Sequence, residues 1–152
     1  MSIEGLQYRL KSKKSYLGKI RREFKPGGNE YEVKDIIRYT YTAPSDELTE
    51  KTLKAIDEHN SKGYTTSGVK NYWLIKSNPY NGINTTLTTP DGQKFEMQYH
   101  TPESYKLKDK VHGMYEEWRK LPEGSEEARE LNRKMFEQYK GITVPKGIER
   151  VR

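Results

Sequence analysis

The alternation of apolar and polar residues along this 152-residue chain predicts one domain over residues 1–152 that contains both strands and helices. Strands are indicated where apolar side chains recur at every second position, and helices where they recur every three or four positions behind a capping residue. The expected strands, about five in number, cover residues 6–10, 32–41, 69–75, 83–89 and 93–100. The expected helices run from Ser12 or Ser15 to about residue 24, and over residues 47–60, 101–121 and 125–140.

Turn and capping residues separate these elements. The Pro-Gly-Gly segment of residues 25–29 ends the first helix, and Ala43-Pro-Ser-Asp46 is expected to cap the second. Thr89-Pro-Asp-Gly92 is typical of a hairpin turn, and Pro102 stands at a helix start, where its missing N–H costs nothing. Residues 141–152 are expected to be irregular. The fold class is therefore α+β, a mixed sheet of about five strands flanked by helices on both faces.

The strand that ends at residue 100 carries the most informative pattern. Alternate residues of a strand project to the same side of a sheet. One face of this strand is apolar and consists of Phe95, Met97 and Tyr99. The opposite face combines an anion, an amide and an imidazole, and consists of Glu96, Gln98 and His100. An ordinary solvated face would do as well with threonine, lysine or serine, so this polar row is a candidate for chemistry.

Composition adds a preference for anionic partners. The chain is 32% hydrophobic and 33% charged, but its 12 tyrosines and two tryptophans supply large areas for burial in a core. The net charge is +6, and between residues 9 and 25 the only acid is Glu23. Such a zone favours nucleotides, nucleic acids or acidic membranes, with a solvated helix face as the plain alternative. No apolar run is long enough to span a bilayer, and the absence of cysteine excludes disulfides and thiolate metal sites.

A strand-to-helix junction gathers part of this positive charge. Arg9 and Lys11 share a strand face, while Ser15, Lys19 and Arg22 share a helix face at spacings of four and three residues. Point charges, an arginine fork and the N–H groups of a helix start are what a triphosphate requires. The junction therefore predicts a triphosphate site, unless the helix is simply amphipathic and solvated.

Two acidic residues are candidates for a magnesium site. Asp35 begins an apolar strand, and Glu96 lies on the polar face of another. A carboxylate at the edge of a strand is ordinarily only solvated. If the two residues converge, they form a site of hard oxygen ligands suited to Mg²⁺, with phosphate oxygens completing the shell. Arg38 would then hold phosphate or stack on a base.

The helix after Thr101 has a polar row beside its apolar stripe. Spacings of three and four residues place on one line Ser104, Lys108, His112, Tyr115 and Arg119. This row is expected either to line a cleft or to form a hydrogen-bonded helix flank. The sequence has none of the glycine-rich phosphate motifs and no nucleophile elbow, and its three histidines lack zinc spacing.

The chain resembles the synthetase domain of RelA/SpoT-type alarmone synthetases in the order of its motifs, which read Arg9-x-Lys11-x3-Ser15-x3-Lys19, Asp35, Asn81-Gly82 and Glu96-x-Gln98-x-His100-Thr101. The resemblance implies their nucleotidyltransferase-related fold and the transfer of pyrophosphate from ATP to the 3′-hydroxyl of an acceptor nucleotide. It implies that the adenine packs on Arg9 and that the ATP phosphates are bound by Lys11, Ser15 and Lys19. It also implies that Asp35 and Glu96 hold Mg²⁺, that Glu96 is the general base, and that Gln98 and His100 order the acceptor.

Departures from the family pattern favour its toxic branch. Housekeeping members have a guanine-stacking tyrosine directly after Asn-Gly, whereas Ile83 follows here, so that Tyr80 would have to replace that platform. The segments around Asn84, Lys108 and His112 are closer to interbacterial effectors whose C-terminal domain makes adenosine alarmones. The resemblance then implies (p)ppApp synthesis that depletes ATP in the cytoplasm of a recipient bacterium. It further implies a longer effector and a cognate immunity protein, expected to be acidic.

Other functions remain open on the residues alone. The acceptor could be the 3′ end of an RNA such as a tRNA, or a guanosine nucleotide giving (p)ppGpp. A non-catalytic module that binds nucleic acid is a different class of protein, and it would interleave aromatic residues with the basic run. The aromatic residues between positions 9 and 25 fall on the buried helix stripe instead, which weighs against that class.

Overall fold

The computed structural model describes residues 2–4 and 37–152. The strands are β1 Ser2–Glu4, β2 Arg38–Thr42, β3 Thr65–Asn71, β4 Ile83–Thr88 and β5 Lys94–His100. They form one five-stranded mixed sheet in the order β1-β2-β5-β4-β3. β2 and β5 are parallel, and the other neighbouring pairs are antiparallel. The helices are α1 Leu48–Ser61, α2 Pro102–Trp118 and α3 Glu126–Tyr139, followed by a 3₁₀ helix over Ile148–Arg150.

The two faces of β5 have opposite characters, as its alternation predicts. On one face Met97 and Tyr99 belong to the hydrophobic core, together with Leu48 and Ala55 of α1. On the other face α2 contacts the polar row of β5, for example through Lys108. Helices therefore lie on both sides of the sheet, and the predicted α+β class is confirmed.

The hairpin between β4 and β5 follows the sequence prediction to within one residue at each strand end. The N–H of Thr89 donates to the carbonyl of Gln93, and the N–H of Gly92 donates to the carbonyl of Thr89. Gly92 has φ +93°, a conformation that glycine adopts without a steric penalty. The turn type thus fixes the register that places the polar row of β5 on one face.

The helices α2 and α3 begin within one residue of their predicted starts, each behind a side-chain cap. The Thr101 side chain accepts from the N–H of Ser104, and the Ser104 hydroxyl accepts from the N–H of Thr101. Ser125 accepts from the N–H of Ala128 in the same way at the start of α3. The cap predicted for α1 is wrong, because its N-cap is Glu47 without a side-chain hydrogen bond, and the carbonyl of Pro44 accepts from the first N–H groups.

The position predicted for the third strand is also wrong. The strand was expected over residues 69–75, because its aromatic and aliphatic end is typical of a strand, but β3 ends at Asn71. The side-chain oxygen of Asn71 accepts from the N–H of Trp73, which turns the chain and directs Trp73 into the core. The amide of Asn71 donates to the carbonyls of Ile148 and Val151.

The segment after α3 is irregular apart from the 3₁₀ helix, as the sequence predicts, but it is also part of the core, which was not predicted. Ile148 and Val151 are 3% and 0% exposed and belong to the same cluster as the residues of α1 and β5. The 3₁₀ helix places these two side chains on the sheet. The apolar face of the sheet is thus covered by α1 and by this segment together.

Several predicted elements lie outside the described residues. They are the strand over residues 6–10, the first helix and the first part of the strand over residues 32–41. The described part of the chain adds a strand that was not predicted, Ser2–Glu4, which pairs with β2. No helix within residues 37–152 has the length and apolar character that crossing a membrane requires.

Candidate functional site

Three adjacent strands contribute to the polar face of the sheet. In the β2–β5 register Arg38 is paired with Glu96, and in the β4–β5 register Asn84 is paired with Gln98. Residues paired across neighbouring strands project to the same face. The parallel pair β2–β5 thereby places a cation beside the anion predicted to be catalytic. This polar face, covered by α2, is the candidate active site.

Glu96 is held at both of its carboxylate oxygens. Its side chain is almost fully buried, at 5% residue exposure. Arg38 Nη2 donates to Oε2 at 3.3 Å, and Gln98 Nε2 donates to Oε1 at 2.7 Å. Because a buried carboxylate is stable only when it is paired and hydrogen-bonded, these two donors fix both the charge and the orientation of Glu96.

Arg38 has a donor to spare. Its Nε is buried and has no hydrogen-bond partner within residues 37–152. A buried donor without a partner is unfavourable by about 1–3 kcal/mol, and an anionic oxygen is the strongest partner it can have. The guanidinium contacts Glu96 through Nη2, and because the Arg38 side chain is partly exposed, it can also face a bound phosphate.

Lys108 reaches the site from α2. Its Nζ donates to Gln98 Oε1 at 2.6 Å, on the opposite end of the amide from Glu96. Burial, and secondly the charge of Arg38, lower the pKa of Lys108 to about 8, while Glu96 and Asp109 act in the opposite direction.

His100 lies at the end of β5 between two hydroxyl groups. Its Nδ1 is 2.8 Å from Ser104 Oγ, and its Nε2 is 2.8 Å from the Tyr80 hydroxyl, which also donates to Asn84 Oδ1. Burial, then the charges of Lys108 and Arg38, lower the pKa of His100 to about 3. Burial, and next Glu96, raise the pKa of Tyr80 well above its ordinary value. His100 is therefore a neutral imidazole and Tyr80 a protonated phenol at neutral pH.

The loop over residues 72–82 carries Tyr80 into the site. The N–H of Tyr72 donates to the carbonyl of Gly82, which closes the loop, and the N–H of Tyr80 donates to Asn78 Oδ1. The rings of Tyr72 and Tyr80 meet edge to face at 5.1 Å. A Cβ at residue 82 would lie 2.6 Å from both His100 Cε1 and the Tyr80 hydroxyl oxygen. The glycine of the Asn-Gly pair is therefore required by the close approach of these two side chains.

The neutral state of His100 predicts a dependence of stability on pH. The unfolded chain binds a proton on this histidine near pH 6.5, whereas the folded chain resists it down to about pH 3. The protonation of His100 therefore does not oppose folding above pH 6.5. As the pH falls from 6.5 towards 3, the folded protein becomes progressively less stable relative to the unfolded chain. The free energy of unfolding should fall by up to about 1.4 kcal/mol for each pH unit below 6.5 because of this group. Urea denaturation at pH 7, 6 and 5 measures it.

Carboxylates also titrate in this pH range, so the contribution of His100 is measured by comparing variants with wild type. His100→Gln protein should lose stability less steeply than wild type below pH 6.5, and His112→Gln, an exposed position on α2, should follow wild type. Equal slopes for wild type and His100→Gln would contradict a buried neutral imidazole.

The structure brings together most of the predicted acceptor-side residues. Hydrogen bonds form one group of Arg38, Glu96, Gln98 and Lys108 and a second group of Tyr80, Asn84 and His100. The pairing of Asn84 with Gln98 in the β4–β5 register places the two groups side by side. His112 is exposed on α2 and forms no hydrogen bond to this group within the described chain, so its role stays a prediction. Six predicted residues lie outside the described residues, namely Arg9, Lys11, Ser15, Lys19, Arg22 and Asp35.

Two features of the site were not anticipated from the sequence. Ser104 was expected to line a cleft or to belong to a hydrogen-bonded helix flank, but its hydroxyl both completes the N-cap of α2 and contacts His100. A signal was present, since the Thr-x-x-Ser spacing is a capping pattern that follows directly on His100. The steric need for Gly82 depends on the fold of the loop and had no signal beyond the Asn-Gly pair.

The described residues of the site supply one ligand that suits a magnesium ion. Mg²⁺ is bound by one or two carboxylates together with substrate phosphates and water, and Glu96 supplies one carboxylate with lone pairs left on each oxygen. Among residues 37–152 no three acidic, histidine or cysteine side chains cluster as a metal site. The second predicted ligand, Asp35, lies outside the described residues.

Comparison with known proteins supports the fold. No protein-family model and no curated protein sequence matches the chain. Among solved structures, it is similar to the Type VI effector Tas1 in complex with its immunity protein, at 23% identity over 86% of this chain and 76% of that one, with TM-score 0.56.

Two bacterial enzymes of known structure are also similar. Small alarmone synthetase 2 from Bacillus subtilis matches at 17% identity over 86% of this chain and 70% of that one, with TM-score 0.63. A GTP pyrophosphokinase family protein from Streptococcus pneumoniae matches at 14% identity over 91% and 68%, with TM-score 0.65. At these identities the likeness concerns the fold, and the predicted RelA/SpoT-type synthetase fold is confirmed.

Proposed function

We propose that this chain is a Mg²⁺-dependent pyrophosphokinase that transfers pyrophosphate from ATP to the 3′-hydroxyl of an acceptor nucleotide. The observation that carries the proposal is the pairing of Arg38 with Glu96 across parallel strands of an alarmone synthetase fold. A buried carboxylate that can accept a proton lies beside a partly exposed guanidinium that can face a phosphate. General-base catalysis next to a phosphate site is what attack of a hydroxyl on ATP requires.

In the proposed reaction, Glu96 accepts the proton of the acceptor 3′-hydroxyl. The resulting oxygen forms a bond to the β-phosphorus of ATP, the bond from that phosphorus to the α-phosphate oxygen breaks, and AMP leaves with the electron pair. Arg38 neutralises charge on the transferred group, and the cations predicted to hold the rest of ATP are Arg9, Lys11, Lys19 and Arg22. Positioning and charge neutralisation supply most of the acceleration.

Magnesium would be held by Glu96 and, as the sequence predicts, by Asp35. When bound it would neutralise phosphate oxygens and strengthen the phosphorus as an electrophile. Ser15 is proposed to bind the ATP phosphates beside Lys19. These assignments are supported by the residue types and their order along the chain.

The acceptor is proposed to be an adenosine nucleotide, giving (p)ppApp. Ile83 stands where a guanine-stacking tyrosine is expected, and it is fully buried in the core. Tyr80 is the aromatic residue at the site instead, and its hydroxyl is hydrogen-bonded to His100 and Asn84. Gln98 and His112 are proposed to complete the acceptor side.

The biological role proposed is that of an interbacterial toxin. The similarity to the effector Tas1, which was solved with its immunity protein, supports a domain of a longer effector that depletes ATP in the cytoplasm of a recipient cell. A cognate immunity protein is then the expected protein partner, and it is expected to be acidic because the chain has a net charge of +6.

Product identification tests the proposal. The protein is incubated with Mg²⁺ and γ-labelled ATP, alone and with AMP, ADP, GDP, GTP or tRNA, and products are separated by chromatography and identified by mass. AMP release together with labelled (p)ppApp is expected, and chelation of Mg²⁺ should abolish both. Label on guanosine nucleotides or on the tRNA 3′ end would identify a different acceptor. Binding of RNA without consumption of ATP would instead indicate a non-catalytic module.

A further inference from the structure

We propose that Lys108 is a positioning residue that orients the Glu96 carboxylate through the side-chain amide of Gln98. The inference rests on the proposed function, and it replaces direct acceptor binding as the role of Lys108. Three contacts form a chain across the site. Lys108 Nζ lies 2.6 Å from Gln98 Oε1, Gln98 Nε2 lies 2.7 Å from Glu96 Oε1, and Arg38 Nη2 lies 3.3 Å from Glu96 Oε2.

The polarity of the amide explains why the lysine matters. The oxygen and nitrogen ends of a glutamine amide have nearly the same size, and rotation about its last torsion is soft. Only the nitrogen end can donate to Glu96, because the oxygen end would be repelled by the carboxylate. An ammonium group has donors and no acceptor, so Lys108 can contact only the oxygen end. Lys108 therefore selects the one amide orientation that supports Glu96.

The surroundings of Gln98 leave this selection to Lys108. Gln98 is 3% exposed, so bulk water is not available to reorient its amide. Its register partners are Thr40 on β2 and Asn84 on β4, and the Asn84 oxygen is already bonded to Tyr80. Within the described residues, Lys108 is the only cation with a hydrogen bond to the Gln98 amide.

A kinetic test separates positioning from direct binding. Lys108→Met keeps a side chain of similar length but removes its hydrogen-bond donors. It should lower kcat about tenfold and change the KM for each nucleotide by less than twofold. Lys110→Met removes a charge from an exposed position on the same helix, and it should leave both constants unchanged. A rise in KM with unchanged kcat would show that Lys108 binds the acceptor directly, which overturns the inference.

A double-mutant cycle adds a second criterion. If Lys108 acts through Gln98, the double variant Lys108→Met/Gln98→Leu should be no slower than Gln98→Leu alone, because the amide to be oriented is gone. Independent roles would instead multiply the two losses and would overturn the inference. Thermal unfolding accompanies every variant, and Lys108→Leu, which also lacks a donor, replaces Lys108→Met in the same comparison if the methionine variant does not fold.

An NMR measurement tests the inference without requiring the protein to be active. The side-chain NH₂ signals of Gln98 are identified in an amide NMR spectrum by their loss in Gln98→Leu protein. They should exchange slowly with solvent in wild type and faster, at shifted positions, in Lys108→Met. Unchanged signals would overturn the inference even if the enzyme is active. Absence of pyrophosphate transfer by wild type would overturn the proposed function and leave this measurement meaningful.

Discussion

Glu96→Gln protein is expected to fold and to transfer pyrophosphate about 10²–10⁴-fold more slowly than wild type. Glutamine has the size of glutamate and can still accept a hydrogen bond from Gln98, but it cannot take up the proton of the acceptor hydroxyl. It also removes the negative charge that Arg38 contacts at 3.3 Å. When the amide oxygen accepts from Gln98, the amide nitrogen faces the Arg38 donor, so loss of this ion pair should lower the free energy of unfolding by about 1–3 kcal/mol.

The measurement is a single-turnover assay of AMP release from ATP with the preferred acceptor. Glu117→Gln, at an exposed position on α2, is the matched control and should retain wild-type activity. Asp35→Ala is expected to abolish transfer in the same assay if Asp35 holds magnesium. A folded Glu96→Gln protein that turns over at the wild-type rate would refute the general-base assignment.

Gly82→Ala is expected to lower both stability and acceptor use. The new Cβ would lie 2.6 Å from His100 Cε1 and from the Tyr80 hydroxyl oxygen, well inside contact distance. Neither group moves freely, because the Tyr80 hydroxyl is bonded to both His100 and Asn84. Overpacking of this kind costs about 1–3 kcal/mol, and displacement of Tyr80 should lower kcat/KM for the acceptor at least about tenfold.

The same substitution elsewhere in the chain is a control. Gly113 is exposed in the middle of α2, and a Cβ there meets nothing within 4 Å. Gly113→Ala should raise the free energy of unfolding by about 0.5–1 kcal/mol, because alanine is the better helix former. Chemical denaturation and acceptor titration of both variants measure the contrast. Wild-type stability and kinetics in Gly82→Ala would show that residue 82 does not constrain the position of Tyr80.

The parts of the fold that the sequence predicted well are those set by local chemistry. The hairpin of β4 and β5 depends on Thr89 and Gly92, and the start of α2 depends on Thr101 and Ser104, all within a few residues of the element they define. The alternation in β5 depends only on the geometry of a strand. Each of these signals acts over a short stretch of chain, and each was visible in the sequence.

The predictions that were wrong concern features that depend on distant residues. β3 ends at Asn71 because the Asn71 amide binds carbonyls near residue 150, a contact across 77 to 80 positions. The burial of Ile148 and Val151, which was not predicted, depends on packing against residues of α1 and β5 that are distant in sequence. The run from Tyr72 to Ile75 has the composition of a strand, but tertiary contacts override local preference there.

The candidate site was predictable in its residue types and less so in its connections. The sequence alone placed Glu96, Gln98 and His100 on one face, and the strand register confirms that placement. Arg38 was expected to hold phosphate or to stack on a base, and its ion pair with Glu96 was not predicted. This ion pair depends on the parallel pairing of β2 with β5, which no local pattern specifies. The same holds for the link from Lys108 to Gln98, which needs α2 to fold back over the sheet.

The anchoring of Ile148 and Val151 has a consequence for the order of events during synthesis. While these residues are still within the ribosomal tunnel, the cluster that contains Met97 and Tyr99 lacks part of its cover, and the Asn71 amide has no carbonyl to bind. The core beneath the strand that carries Glu96 is then completed only once this segment has left the tunnel. Any activity of the domain would therefore begin only after residues 148–151 have left the tunnel.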